Sequence, residues 1–166
     1  MSQNEPGDTP VFEEPVFKSP VFKGSMPSIR PELLGWRFVQ VGDGIAVMEW
    51  TPGPDLANPV GNVHGGWVGA LVDDVSGAAL VSLLTEPRPF PTVAMHIEFI
   101  RPIAIGETHT VRGAVVRAGK RVTVCDATIT DANGRLLARA STTFSADLEG
   151  HLRPDGAPVA GFTALG

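Results

Sequence analysis

Residues 58–80 read NPVGNVHGGWVGALVDDVSGAAL, and this stretch says more about fold and function than any other part of the chain. A loop rich in proline and glycine ends in His64-Gly65-Gly66, and a run of small and apolar residues follows. The apolar positions in that run recur at helical spacing, and prolines at 87 and 89 stop it. The pattern predicts one helix from Gly65 to about Leu84.

The start of this predicted helix is suited to binding negative charge. A helix N-terminus presents free backbone N–H groups and a partial positive charge. Asp73 follows nine positions after His64 and supplies a carboxylate that can act as a base or as a nucleophile. Donors for an oxyanion together with a carboxylate that can activate water indicate acyl transfer to water.

Segments on both sides of the helix have the alternation or the β-branched content of strands. They cover residues 36–40, 45–50, 93–99, 108–117, 122–130 and 135–145. Asn133-Gly134 is a strong hairpin turn between the last two segments. Two strands, one long helix and a run of meandering strands predict an α+β protein, in which a curved antiparallel sheet of five or six strands wraps one central helix.

Composition limits the class of protein and its partners. The chain has 166 residues, 43% hydrophobic and 19% charged, and a net charge of −5, so we expect one folded domain and no nucleic-acid partner. Cys125 is the single cysteine, which excludes an internal disulfide framework. No secretory signal and no membrane-length apolar run is visible, so we expect a cytoplasmic protein that does not enter membranes.

The sequence divides into three zones. Residues 1–30 form a proline-rich tail that repeats Pro-Val-Phe at 10–12, 15–17 and 20–22, either as a flexible tail or as a segment whose phenylalanines dock on the body or on a neighbouring subunit. Residues 31–147 form the predicted domain. Residues 148–166 are rich in proline and glycine and are interpreted as a C-terminal tail.

The order of these elements and their motifs resembles the hotdog-fold thioesterases, in particular the phenylacetate-pathway (PaaI-like) branch. The resemblance covers about residues 33–146 and is carried by Asn58, His64-Gly65-Gly66 and Asp73, and by the later segment TVAMHIEFIRPIAIGE at 92–107. It implies the hotdog fold and the hydrolysis of an acyl-CoA thioester to a free acid and coenzyme A.

The resemblance also implies roles for individual residues. Asp73 would activate water or attack the carbonyl itself, the Gly65 amide would bind the oxyanion, and Thr92 would orient the water. His64 and Asn58 would either contact the thioester or serve only to cap the helix and hold the loop. In the family these groups come from two subunits, which implies a homodimer or a dimer of dimers with shared active sites.

Further residues are candidates for substrate contact. Gly66, Trp67 and Ser76 lie near the expected acyl site, and Trp67 either lines the acyl tunnel or packs in the core. Four cations are candidates for the phosphates of coenzyme A, although such residues are often only solvated: Arg101, Arg117, Lys120 and Arg121. His96 and Glu98 share a strand face but have no third ligand, so we expect no metal, and no cofactor beyond the coenzyme A of the substrate.

Two other functions are compatible with the same fold. One is a non-catalytic module that binds acyl-CoA, and the other is a hotdog enoyl-CoA hydratase or dehydratase, whose placement of a catalytic histidine and acid is not found here. The sequence leaves open the identity of the acyl group, the choice between base and nucleophile for Asp73, and the choice between dimer and tetramer.

Overall fold

A computed structural model describes residues 16–18, 34–145 and 147–153. Within them, one long helix lies against a sheet whose strands are ordered β1-β2-β3-β5-β6-β7-β4. The elements are β1 (Val16–Lys18), β2 (Trp36–Gly42), β3 (Ile45–Trp50), a 3₁₀ turn (Pro54–Leu56), α1 (Gly65–Val81), β4 (Thr92–Phe99), β5 (His109–Ala118), β6 (Val122–Thr130) and β7 (Leu136–Ser145). Strands β2 to β7 pair with one another only in antiparallel fashion, which confirms the predicted fold class.

Strand β1 comes from the segment predicted to be a tail. It contains Val16 and Phe17 of the middle Pro-Val-Phe repeat, followed by Lys18, and its backbone pairs in parallel with residues 40–42 of β2. Pro15 and the other two repeats lie outside the described residues. Residues 16–18 therefore dock on the body of the protein as a seventh strand, while the domain boundaries stay predictions.

Helix α1 packs on the sheet through the apolar stripe that its sequence predicts. Its buried members include Val68, Leu71, Val72 and Val75. The helix and the sheet approach closely at Gly113 of β5, where an added Cβ would lie 2.7 Å from the carbonyl oxygen of Val75. No helix in the described residues is long and apolar enough to cross a membrane.

The helix ends at Val81, three residues before the predicted Leu84. Ser82 explains the difference, because its hydroxyl donates to the carbonyl of Ala79 (2.7 Å) and accepts from the amide of Gly44 in the β2–β3 turn (2.8 Å). The next two residues continue as turns whose amides bond three residues back. The apolar spacing persists beyond residue 81, but the hydrogen bonding of an α-helix does not.

The end of the described chain packs against the end of the helix. Leu148 is buried, Leu152 bridges to Leu84, and the amide of Arg153 donates to the carbonyl of Leu83 at 2.8 Å. Residues 147–153 therefore cover the region just after α1, opposite the helix start where the candidate site begins.

Candidate active site

Asn58 organises the loop that leads into the helix. Its side-chain Oδ1 accepts hydrogen bonds from the backbone amides of Val60 (3.0 Å) and Asn62 (3.1 Å). Its backbone N–H donates to the carbonyl of Asn62 (2.7 Å). The loop-holding role is thus observed. The side-chain Nδ2 group is a donor that these bonds do not use, so it is available for a ligand.

His64 is the N-cap of α1. Its backbone is extended, and its Nδ1 accepts a hydrogen bond from the amide of Gly66 at 3.0 Å. An accepting Nδ1 leaves the proton of the neutral imidazole on Nε2, which can donate to a ligand. The cap uses the Gly66 amide, whereas the Gly65 amide has no partner within the described part of the chain. Gly65 is therefore the available amide donor at the helix start.

A cavity of about 450 Å³ opens beside this amide. It lies between the loop before α1 and the chain that follows β4, and it is lined by Asn58, Asn62, Val63, Gly65, Val68, Phe99, Ile100, Arg101, Pro102 and Ile103. The ring of Phe99 lies so close to Gly65 that an added Cβ would sit 3.1 Å from its Cζ. The cavity has the size of a small-ligand site and holds three predicted site residues.

The candidate carboxylate lies further along the helix. Thr92 of β4 donates its hydroxyl to Oδ1 of Asp73 at 2.6 Å. This contact depends on a β-bulge, because the pairing of β4 with β7 shifts register between Thr92 and Ala94. The extra residue, Val93, keeps Thr92 on the helix-facing side of the strand, where strict alternation would turn it away.

Asp74, the neighbouring residue, has a different environment. Burial first and the Asp73 carboxylate second raise its pKa to about 6, and the indole of Trp36 offsets part of the rise. The indole does not reach hydrogen-bond geometry, since both Nε1 of Trp36 and Oδ2 of Asp74 are buried without a partner among the described residues. Asp74 therefore lies toward β2, while Asp73 lies toward β4.

The two halves of the candidate site are separated within one chain. Gly65 and Asp73 are eight residues apart on α1, which corresponds to about 12 Å along the helix axis. The cavity lining includes Gly65 but neither Asp73 nor Thr92. One protomer therefore does not bring the oxyanion donor and the carboxylate to the same carbonyl group.

The predicted acyl-site residues next to these groups lie elsewhere. Trp67 is 38% exposed and is not part of the cavity lining. Ser76 is fully buried between helix and sheet, where its hydroxyl donates to that of Thr142 over 3.5 Å. Neither side chain is brought to the cavity.

The predicted phosphate-binding cations form two groups at opposite ends of the sheet. Arg101 lines the cavity and donates through Nη1 to the carbonyl of Leu136 at 2.6 Å. The others, Arg117, Lys120 and Arg121, lie at the β5–β6 turn, which the strand register aligns with the Thr92 end of β4. Lys120 forms an ion pair with Glu149.

His96 and Glu98 form an ion-pair cluster with Arg139. Arg139 donates to Glu98 at 2.7 Å, and this hydrogen bond is the main reason that the pKa of Glu98 is lowered. No group of three potential metal ligands occurs among the described residues. Burial raises the pKa of the Cys125 thiol to about 12, so this cysteine does not supply a thiolate nucleophile.

Sequence reasoning did not single out two aromatic residues that lie against the helix. Phe99 covers Gly65, and Phe90 lies against Gly77. The sequence does indicate the position of Phe99, because this residue continues the apolar alternation of the helix-facing positions in β4. No such pattern indicates the position of Phe90, since it lies in the proline-rich connection before the strand.

An antiparallel sheet wrapped around a single long helix, with a free amide at the helix start, defines a hotdog-fold protein of the thioesterase type. Residues 60–138 match the model of the thioesterase superfamily. Human acyl-coenzyme A thioesterase 13 is 31% identical over 107 residues, covering 63% of this chain and 75% of the relative. The chain belongs to the thioesterase superfamily, and the prediction of a thioester hydrolase is confirmed.

Solved structures support the same assignment. The PaaI protein of the Escherichia coli phenylacetic acid degradation operon has a TM-score of 0.63 and 25% identity, over 70% of this chain and 82% of that protein. A hypothetical thioesterase protein of Streptococcus pneumoniae, solved with coenzyme A, has a TM-score of 0.65 at 24% identity, over 74% and 91% of the two chains, and shows that the fold is shared.

Proposed function

We propose that this protein hydrolyses acyl-CoA thioesters, with Asp73 and Thr92 as the water-activating pair and Gly65 as the oxyanion donor. The observation that carries the proposal is the 2.6 Å hydrogen bond from Thr92 to Asp73. Supporting it are the available Gly65 amide at the helix start and relatives that are named acyl-coenzyme A thioesterases.

The chemistry follows from these groups. Asp73 removes a proton from water, and the oxygen attacks the thioester carbonyl while the Gly65 amide stabilises the negative charge on the carbonyl oxygen. Collapse of this intermediate breaks the C–S bond, and the thiolate of coenzyme A takes up a proton. Alternatively, Asp73 attacks the carbonyl directly and the C–S bond breaks, so that the thiolate of coenzyme A leaves and takes up a proton. Water then hydrolyses the mixed anhydride to the free acid and the Asp73 carboxylate. In the first route, Thr92 orients the water by accepting a hydrogen bond from it while donating to Asp73.

The separation of Gly65 from Asp73 favours a site shared between two protomers. Strand β4 lies at the end of the sheet order and has no outer neighbour within the described residues. Its exposed apolar side chains include Val93 (59% exposed) and Phe99 (57% exposed), and Ile100 follows at 42%. An unpaired apolar edge of this kind is suited to pairing with another strand.

A two-fold axis through paired β4 strands would join the two halves of the site. Antiparallel pairing sets the Phe99 end of one strand beside the Thr92 end of the other. Because Gly65 lies against Phe99 and Asp73 is bonded to Thr92, the amide of one protomer then meets the carboxylate of its partner. We therefore propose a homodimer, alone or within a dimer of dimers.

The same pairing would bring the four predicted phosphate-binding cations together. Arg101 lies at the Phe99 end of β4, and the β5–β6 turn with Arg117, Lys120 and Arg121 lies at the Thr92 end. In the proposed dimer both groups would flank one site entrance, where they would bind the phosphates of coenzyme A. We propose no cofactor beyond this part of the substrate, and the lone buried Cys125 fits a cytoplasmic location.

Thiol release from aryl-, short-, medium- and long-chain CoA esters tests the activity. We expect free coenzyme A with at least one of these classes. Tight binding without thiol release would instead support a non-catalytic binding module, and hydration of an enoyl-CoA would support a hydratase.

A mixed-dimer experiment tests the shared site. Asp73→Asn removes the carboxylate. Gly65→Pro removes the amide donor while keeping the backbone, because proline suits the first helical position and His64 already has the extended backbone that must precede it. The added Cβ would lie 3.1 Å from Cζ of Phe99, so this ring must shift by a few tenths of an ångström. Each variant alone should be nearly inactive. A purified dimer with one copy of each has one intact site and should recover about half of the wild-type turnover. A mixed dimer that stays inactive would contradict the shared site, provided that each variant has a wild-type unfolding midpoint.

A further inference from the structure

One face of α1 runs along β4 and the chain before it. Its members are spaced four residues apart, and three are glycine and one is aspartate: Gly65, Gly69, Asp73 and Gly77. A Cβ at Gly69 would lie 3.8 Å from Ile97, and a Cβ at Gly77 would lie 3.5 Å from Cε2 of Phe90. The carboxylate thus lies between two apolar contacts, each about 6 Å away along the helix axis.

The ring of Phe90 is held firmly on the far side of this carboxylate. It makes an edge-to-face contact with Phe144, with ring centroids 5.5 Å apart and planes at 88°. Phe144 is buried and is the register partner of Thr92, and Phe90 lies against Phe144. The carbonyl of Pro91 accepts the amide of Ser145 at 3.0 Å, which fixes the backbone beside Phe90.

We propose that Phe90 determines which acyl groups this site accepts, an inference that rests on the proposed function. An acyl chain attached to a carbonyl at Asp73 and directed along the helix would meet the Phe90 ring after about one helical turn. Gly77 supplies the space that the ring fills, and Phe144 keeps the ring from turning aside. The substrates are therefore acyl groups that are short or compact, and longer linear chains are excluded by the ring.

Phe90→Ala opens the end of this space, and its effect is measured as kcat/KM for butyryl-, octanoyl- and dodecanoyl-CoA. We expect the ratio of dodecanoyl to butyryl turnover to rise about tenfold or more, because each methylene accommodated in an apolar pocket changes kcat/KM by about 10- to 200-fold. Phe90→Leu keeps most of the volume and should change the ratio much less.

Phe38→Ala is the matched control, since Phe38 is a buried phenylalanine on β2, at the other side of the sheet from β4. It should lower stability as Phe90→Ala does and leave the chain-length ratio unchanged. An unaltered ratio in Phe90→Ala, with wild-type protein active, overturns the inference about Phe90 alone. Wild-type protein that releases thiol from none of these three esters and from no aryl-CoA ester overturns the proposed function together with it.

Discussion

The two long faces of α1 differ in what they contact and in how tightly they contact it. On the sheet side, Leu71 and Val75 are fully buried, and the helix backbone comes so close to Gly113 that a single Cβ would collide with it. On the β4 side, the contacts at Gly69 and Gly77 are those of ordinary van der Waals packing or looser. One face thus fixes the helix in the sheet, and the other holds the Asp73 carboxylate between two less tightly packed glycines.

The adjacent residues Asp73 and Asp74 show the same difference at the level of single side chains. Successive residues of a helix point about 100° apart, so one carboxyl accepts the Thr92 hydroxyl while the other lies buried near Trp36. We propose that the first carboxyl, Asp73, takes part in catalysis. Partial burial disfavours the ionised form of the second, Asp74, and so lowers the free energy of unfolding at neutral pH.

The largest expected effect is that of Asp73→Asn on turnover. The amide cannot accept a proton from water, so kcat should fall about 100-fold or more, with little change in KM. Thiol release from the best CoA ester measures the loss, and the unfolding midpoint shows whether the fold is kept. Asp74→Asn is the matched control and should retain kcat within a few-fold. Near-normal turnover in Asp73→Asn would remove this residue from the mechanism.

The next largest expected effect is on the free energy of unfolding, and it compares a Gly→Ala substitution at the sheet side of α1 with one at the β4 side. Gly113→Ala sets a methyl group 2.7 Å from a backbone oxygen of α1 that cannot rotate away, so the free energy of unfolding should fall by about 1–3 kcal/mol or more. Gly69→Ala meets only Ile97 at 3.8 Å and gains helix propensity, so it should stabilise the protein by up to about 1 kcal/mol. Urea unfolding of both variants measures the difference, and equal losses would contradict the contrast between the faces.

Much of the packing of α1 on the sheet could be predicted from the sequence. The apolar stripe of α1, the Asn133-Gly134 turn and strands β2 to β7 follow from local patterns, and the strand bounds agree with the structure within about two residues. Strand β1 was not predicted. The end of the helix did not follow, because it depends on a hydrogen bond from the amide of Gly44 to the hydroxyl of Ser82, 38 residues later. Local spacing contains no information about such a contact.

The contacts on the β4 side of α1 were less predictable from the sequence. The distance of Asp73 from His64 selected the right carboxylate to meet Thr92, yet the contact needs a bulge at Val93 that no glycine or proline in β4 signals. The position of Phe90 depends on how the proline-rich connection folds back over the helix. The division of the cations between two ends of the sheet depends on strand order, which periodicity does not determine.

The smallest expected effect is on stability and concerns Asp74, the partly buried neighbour of Asp73. The pKa of Asp74 is raised from 3.8 to about 6 in the folded state, so the folded protein binds this proton more tightly than the unfolded chain does. The contribution of Asp74 to stability is therefore present below pH 3.8 and is lost as the pH rises through 6. Asp74→Asn removes this loss and should stabilise the protein at pH 7.5 by about 1–2 kcal/mol, allowing for partial exposure.

Urea unfolding of wild-type and Asp74→Asn protein at pH 7.5, 6 and 4.5 measures this difference. The stabilisation should shrink steadily as the pH falls, because wild-type Asp74 becomes protonated in the folded state and the two side chains then carry the same charge. Asp55→Asn, at an exposed carboxyl in the 3₁₀ turn, is the control and should give no comparable trend. A stabilisation that is equal at all three pH values would mean that Asp74 is ionised in the folded protein across this range and that burial does not raise its pKa.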